Sequence, residues 1–316
     1  MQPRIFKIRD ALLCACKYLT APLVDTVLMQ IVVTKLMGGL GNQMFQYAAA
    51  RALALRKGAE VKIDTRFYAR QNKRRYELHV YPIRCSVVTK DELFRFGLRS
   101  AKKRRIYHRF LYRDWKVYRE RHFPFDPTIN VLTPPVYLAG HWQTERYFSD
   151  IAEVLRSEFT PVEPLDSKNA RNQAKIAGVN AVSVHVRRGD YVANEKTNRF
   201  HGTCSLDYYR RAAEFICDRV DAPHFFVFSD DPEWATKHLR LDAAITSLTD
   251  NPSTHGFRDL QLMSRCRRHI IANSSFSWWG AWLNPSPDKI VVAPQKWFNE
   301  GQRDTRDLLP KGWVKI

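Results

Sequence analysis

A short β-branched run, a glycine-rich turn and an alanine-rich helix follow one another without a break near the start of this chain, and that succession limits its fold more than any other feature. Gln30-Ile-Val-Val-Thr-Lys-Leu36 reads as a strand, Met37-Gly-Gly-Leu-Gly-Asn42 as a tight turn, and Gln43 to Leu55 as a helix. Glu60 to Asp64 (EVKID) is the next strand, so the chain opens in β-α-β order, which favours a parallel sheet and an α/β fold. A length of 316 residues leaves room for two domains, because one core rarely grows past ~250 residues.

The segment 66–135 is rich in arginine and aromatic residues without a clear period, and Pro124, Pro127, Pro134 and Pro135 punctuate its end, so no elements are assigned there. Thr160-Pro-Val-Glu-Pro-Leu-Asp166 reads as a linker. It divides an N-terminal extension (1–28) and a first domain (29–165) from a second domain (166–316). Beyond it, strands are expected at Ala181–Val186, His224–Phe228, His269–Ala272 and Lys289–Ala293, and helices at Leu206–Arg219, Pro232–Leu239, Arg258–Cys266 and Ser277–Leu283, before a polar tail. Ser205 is placed to cap the helix starting at Leu206.

Charge and cysteine content narrow the class. Lys and Arg number 51 against 32 Asp and Glu, a net charge of +19, and ten of the basic residues fall between Gly97 and His122. Such a patch attracts nucleic acid, anionic headgroups or acidic glycans without specificity of its own, and it reads first as a solvated or membrane-facing surface. The six cysteines form no CxxC pair, which argues against a zinc cluster or a disulfide framework and fits a reducing compartment. No window reaches the ~20 apolar residues of a membrane span. Residues 1–28 lack the long apolar region of a secretory signal. They read as a helical or loose extension, or as a start placed ahead of Met29, with a surface helix on anionic lipid as the sharper alternative.

In parallel sheets, ligands gather where strands end and helices begin. Four polar clusters fall at such ends: Gly38–Gln43, His185–Asp190, Ser229-Asp230-Asp231 and Asn273-Ser274-Ser275. The first is half a dinucleotide fingerprint, with Met44 in place of the third glycine, and equally a tight turn and nothing more. The paired Arg187 and Arg188 suit a phosphate, though a salt bridge between Arg188 and Asp190 is the plainer alternative. Ser274 and Ser275 precede a helix and suit a diphosphate. Asn273-Ser-Ser275 also matches a glycosylation sequon, a poor reading for a buried strand end. Trp278, Trp279 and Trp282 read as core.

Taken together, Met37-Gly-Gly-Leu-Gly-Asn-Gln-Met-Phe-Gln-Tyr-Ala48, His185-Val-Arg-Arg-Gly-Asp-Tyr-Val192, Phe226-Val-Phe-Ser-Asp-Asp231 and Asn273-Ser-Ser-Phe-Ser-Trp-Trp-Gly-Ala-Trp-Leu283 resemble the α-1,2-fucosyltransferase family, most closely its bacterial members. The resemblance spans about residues 30 to 300. It implies a GT-B-like fold, two Rossmann-type domains with a cleft between them, the first facing the acceptor and the second binding GDP-fucose. It implies inversion at the anomeric carbon, no cofactor and no metal. Residue by residue, it puts Arg187 on the β-phosphate, Ser274, Ser275 and Phe276 around the diphosphate, His185 and Asp259 at the guanine, and Asn42 reaching the donor from the other domain. Gln43, Arg188 and Asp230 belong to the same donor-binding motifs.

For the general base, Asp190, Glu195 and His201 all lie close after the arginines, and three candidates stay open. The expected partners are GDP-fucose and a galactose-containing glycan, on a lipid carrier in one version, in a cytoplasmic protein whose 97–122 segment can touch the inner face of a membrane. Alternatives are a fucosyltransferase of other linkage, a transferase using another GDP-sugar, or a non-catalytic basic binder of glycan or nucleic acid. The last lacks any recognised nucleic-acid motif.

Overall fold

The computed structural model describes residues 30–70, 73–98, 112–299 and 303–316. The extension 1–28 and most of the basic run within 97–122 lie outside the described residues.

The chain builds two parallel sheets. β1 (Ile31–Lys35) leads through the glycine turn into α1 (Leu40–Lys57) and then β2 (Glu60–Asp64), with Ile31 opposite Glu60 and Lys35 opposite Asp64. α1 ends at Gly58, whose φ of 61° is the left-handed C-cap that glycine adopts without steric cost. The unpatterned segment supplies β3 (Ser86–Val87), α2 (Lys90–Arg95), β4 (Lys116–Arg119) and β5 (Val136–Ala139). These strands have two to four residues, too short to show a period. α2 is fixed by a capping box in which Thr89 and Glu92 satisfy each other's backbone amides. The order β3-β2-β1-β5-β4 puts β1 at the centre.

α3 (Ala152–Glu158) and α4 (Ser167–Ala177), the latter capped by Asp166, carry the chain to β6 (Asn180–Val186). Two short helices follow, α5 (Gly189–Ala193) and α6 (Glu195–His201), and then α7 (Leu206–Cys217), whose cap is Ser205 accepting from the Tyr208 amide. β7 (Pro223–Ser229), α8 (Pro232–His238), β8 (Ala244–Leu248), α9 (Gly256–Met263), β9 (Arg268–Ile270), α10 (Ser275–Leu283), β10 (Ile290–Ala293) and β11 (Val314–Lys315) complete the second sheet. Its order is β11-β10-β9-β6-β7-β8, every pairing parallel.

Three expectations need correction. β8 was not anticipated, because an edge strand with exposed Ala244 and Ile245 carries little apolar signal. The polar tail is partly structured: β11 pairs with β10, and Trp297 and Leu308 are buried. α10 starts at Ser275, two residues before the expected start, because Ser274 accepts from the Phe276 amide and serves as the cap.

A single apolar core joins the two halves. α10 is apolar on every side, as a helix buried all round must be. Trp278 and Trp279 pack their rings 4.5 and 5.0 Å from Phe45 of α1, and Trp279 stacks on Phe148 at 5.3 Å. All three indole N–H groups are satisfied, by the carbonyls of Leu308 and Gly41 and by Glu145 Oε2. The tryptophans are core, as expected, and that core clamps one sheet system to the other.

Candidate active site

Both sheets reverse their strand order at a central strand, β1 in the first and β6 in the second. Such a switch point leaves a crevice at the carboxyl end of the strand, with helix N-termini on either side. Here the two crevices meet. Gly41, in the first turn of α1, lies so near the start of α10 that an added Cβ would stand 2.5 Å from the Ser275 carbonyl carbon and 2.7 Å from the Phe276 nitrogen. Gly41 of the glycine turn therefore serves close backbone approach between the halves as well as turning.

On the β1 side, Asn42 accepts from Gln143 Nε2 at 2.7 Å. Gln43, expected at the donor, is fully buried. Its amide group donates to the Gly38 and Arg75 carbonyls and accepts from the Glu77 amide, so its part is to hold the turn.

On the β6 side, the arginines have distinct surroundings. Arg187 pairs with Asp230 at 2.9 Å and lies over the Tyr191 ring. Arg188 pairs with Asp231 at 3.3 Å, with its guanidinium 3.7 Å from the centre of the Trp234 ring. The expected partner of Arg188 was Asp190, whose side chain lies outside the described residues; the observed partner stands on the neighbouring strand end. Asp230 also accepts from the Arg188 amide at 2.8 Å. It can reach both groups because Gly189 has no Cβ, which would sit 2.5 Å from the carboxylate. Asp230 thus orients the Arg187 fork, while Arg188 anchors β6 to α8.

His185 is buried, its Nδ1 has no hydrogen-bond partner among the described residues, and burial beside the Arg187 charge pushes its pKa down to about 3. The imidazole is therefore neutral. Its ring stands 5.5 Å from that of Phe276, which in turn lies against Gly256 at the start of α9. Asp259 is one turn further along α9. It is half-buried rather than solvent-facing, and burial lifts its pKa to about 6, opposed by a hydrogen bond from Asn251 and aided by the Asp250 charge. Phe276, next to the Ser274–Ser275 cap, thus links His185 to the start of α9, the helix that carries Asp259.

Asn273 is 3% exposed, and its amide donates to the carbonyls of His201, Gly202 and Trp297, so the sequon is structural. Of the proposed bases, Glu195 is exposed at the start of α6 and His201 stacks on Tyr191 at 4.7 Å. Among the described residues, no three His, Cys, Asp or Glu side chains group as a metal site would. No helix of the described residues is long and apolar enough to cross a membrane.

Sequence reasoning missed Gln143, Glu120 and His141. They follow β5 and β4 and obey the strand-end rule that found the other clusters, but their strands were not recognised. Trp234 and Asn251 carried no signal, since only the folded chain brings them to their partners.

Two parallel sheets whose switch points face each other across a crevice, with arginine and helix N-termini on one wall, make this a two-domain α/β protein of GT-B-like architecture. The sequence profile of glycosyl transferase family 11 matches residues 10–316, and the chain belongs to that family. It is 37% identical over 302 residues to the Escherichia coli alpha-1,2-colitosyltransferase, covering 91% of this chain and 99% of that protein. It is 34% identical over 313 residues to the Escherichia coli O-antigen biosynthesis glycosyltransferase WbnK, with coverage of 89% and 99%. Human galactoside alpha-(1,2)-fucosyltransferase 1 is 25% identical over 292 residues, covering 88% of this chain and 73% of that protein. A solved structure of an Arabidopsis thaliana FUT1 mutant in complex with GDP shares the fold, with a TM-score of 0.51 at 11% identity over 96% of this chain and 80% of that one. The chain is a glycosyltransferase, which sets aside the non-catalytic alternative.

Proposed function

We propose that this chain transfers L-fucose from GDP-fucose to a galactoside hydroxyl, forming an α-1,2 linkage with inversion and without a metal. One observation carries the reading: Arg187, oriented by Asp230, stands at the β6 switch point beside the Ser274–Phe276 helix start that follows the neighbouring β9. A guanidinium fork and the positive end of a helix together complement a diphosphate. As the C1–O bond breaks, charge grows on the β-phosphate, and a preorganised cation there lowers the barrier without a divalent ion. The neutral His185 and the Asp259 carboxylate give the guanine an imidazole and an acceptor for its N1–H and N2–H. The acceptor approaches from the β1 side, past Asn42.

The 37% identity to an alpha-1,2-colitosyltransferase favours a second reading, with GDP-colitose as donor. Colitose is fucose without its 3-hydroxyl. A site that hydrogen-bonds that hydroxyl rejects the deoxy sugar by ~10⁴-fold or more, whereas an apolar site accepts both to within ~10²-fold. The test is incubation with each donor and a panel of galactosides in EDTA, followed by linkage analysis. Fucose in α-1,2 linkage is the expected product. Transfer of colitose alone moves the assignment to the second reading, and dependence on added metal refutes the cationic mechanism.

A further inference from the structure

In the proposed reaction the leaving diphosphate is held on the second-sheet wall. A single displacement with inversion therefore brings the acceptor hydroxyl from the opposite face of the sugar, and its proton must be received there. The opposite wall is the carboxyl edge of the first sheet, and two of its carboxylates are already committed. Asp64 is clasped by Arg66 at 2.7 and 2.9 Å and accepts from the Tyr137 hydroxyl at 2.6 Å. The two oxygens of Glu120 accept from the backbone amides of His141 and Trp142 at 2.7 and 2.9 Å.

His141 differs. Its side chain is half-buried, and its shielded Nδ1 has no hydrogen-bond partner among the described residues. The turn that carries it is tightly built. Gly140 closes onto Glu120, where a Cβ would fall 2.5 Å from the Glu120 Cβ. Trp142, fully buried, adopts a φ of 57°, a left-handed conformation that is costly for a bulky residue and persists only where its surroundings enforce it. One residue on, Gln143 donates to Asn42, the residue expected to meet the donor. The strain and the clamp by Glu120 thus fix the backbone that carries the imidazole two residues from the Gln143–Asn42 contact.

We propose that His141 binds the acceptor hydroxyl and takes its proton, an inference that rests on the transferase reading above. The C1–O bond to the β-phosphate breaks with its electron pair leaving on GDP beside Arg187. The acceptor oxygen forms the new bond to C1, and its proton passes to the imidazole and from there to solvent. Burial lowers the basicity of the ring, and the charges of Arg303 and Lys35 lower it further, so the imidazole is neutral and able to accept. The charged and titratable groups around it are Lys35 at the end of β1, Glu120 after β4 and Arg303 from the C-terminal segment, with His122 acting on Glu120. Arg303 also lies over the rings of Phe200 and Phe298.

The test compares wild type with H141Q, measuring GDP affinity by calorimetry and kcat across the pH range. H141Q should bind GDP as wild type does and transfer ~10²–10⁴-fold more slowly, the usual scale for a lost general base. Wild-type kcat should fall with acid through a limb whose midpoint lies below the ordinary histidine value of ~6.5, and the residual rate of H141Q should lack that limb. Near-normal transfer by H141Q, or the same limb persisting in it, overturns the assignment. A wild-type limb centred above ~6.5 also overturns it, without recourse to any variant. Wild type that binds no GDP brings down the transferase reading itself, whereas GDP binding with an unaffected H141Q brings down this inference alone.

Discussion

Replacing Gly41 by alanine tests whether the contact between the two switch points organises catalysis. The new methyl would stand 2.5 Å from the Ser275 carbonyl carbon, against the 3.4 Å at which ordinary contact begins, a shortfall of about 0.9 Å. The atoms it meets are backbone in the first turn of α10, and Gly41 is itself in the first turn of α1, so no flexible side chain can yield. Overpacking of this kind costs about 1–3 kcal/mol. A misplacement near 1 Å between catalytic groups costs about 10²-fold in rate. G41A is therefore expected to lose a few degrees of Tm and about two decades of kcat. Gly58→Ala is the control: its φ is 61° and none of the described residues lies within 4 Å of the added Cβ, so it should lose ~1 kcal/mol of stability through strain alone and keep its turnover. Thermal unfolding and steady-state transfer measured on both variants decide the matter. If G41A turns over like wild type, the close approach does not position the site, and the reasoning fails.

Arg187→Ala should lower kcat by ~10²–10³ with the fold intact, the scale for one preorganised cationic donor; near-normal turnover removes Arg187 from the leaving-group role. Asp259 gives a pH dependence whose sign is fixed. Its pKa of about 6 is above the ordinary carboxylate value, so its ionisation opposes folding, and this part of the unliganded chain's stability rises as pH falls through 6. In the proposed reading the guanine is held by the carboxylate, so GDP affinity should rise as pH increases through the same region, and Asp259→Asn should flatten that rise in calorimetric titrations. Glu158 accepts from Arg51 at 2.8 Å and from the Tyr47 hydroxyl at 2.6 Å in a mostly buried setting. Glu158→Ala should cost about 3 kcal/mol, read by denaturant unfolding, because it leaves a cation and a hydroxyl without their partner.

By itself the sequence determined the parallel α/β architecture and the four strand-end clusters, because β-branched runs, glycine turns and alanine-rich helices are local features that local sterics decide. It also pointed to Ser205 as a cap and to the tryptophans of α10 as core. Local pattern could not tell that Arg187 is oriented by Asp230 while Arg188 is stacked on Trp234, since the partners arrive from the end of β7 and the first turn of α8, more than 40 residues away. Nor could it separate Asn42, which meets Gln143, from Gln43, whose amide is spent on the turn, because one step along a helix turns a side chain by about 100° onto another face. β3, β4 and β5 were hidden by their shortness, and with them the turn at Glu120, His141 and Trp142. The pairing of Gly41 with Ser275 belongs to the tertiary structure alone: it needs two sheets folded separately and one tryptophan helix locked between them, and no stretch of chain encodes a contact across 230 residues except through the core that closes it.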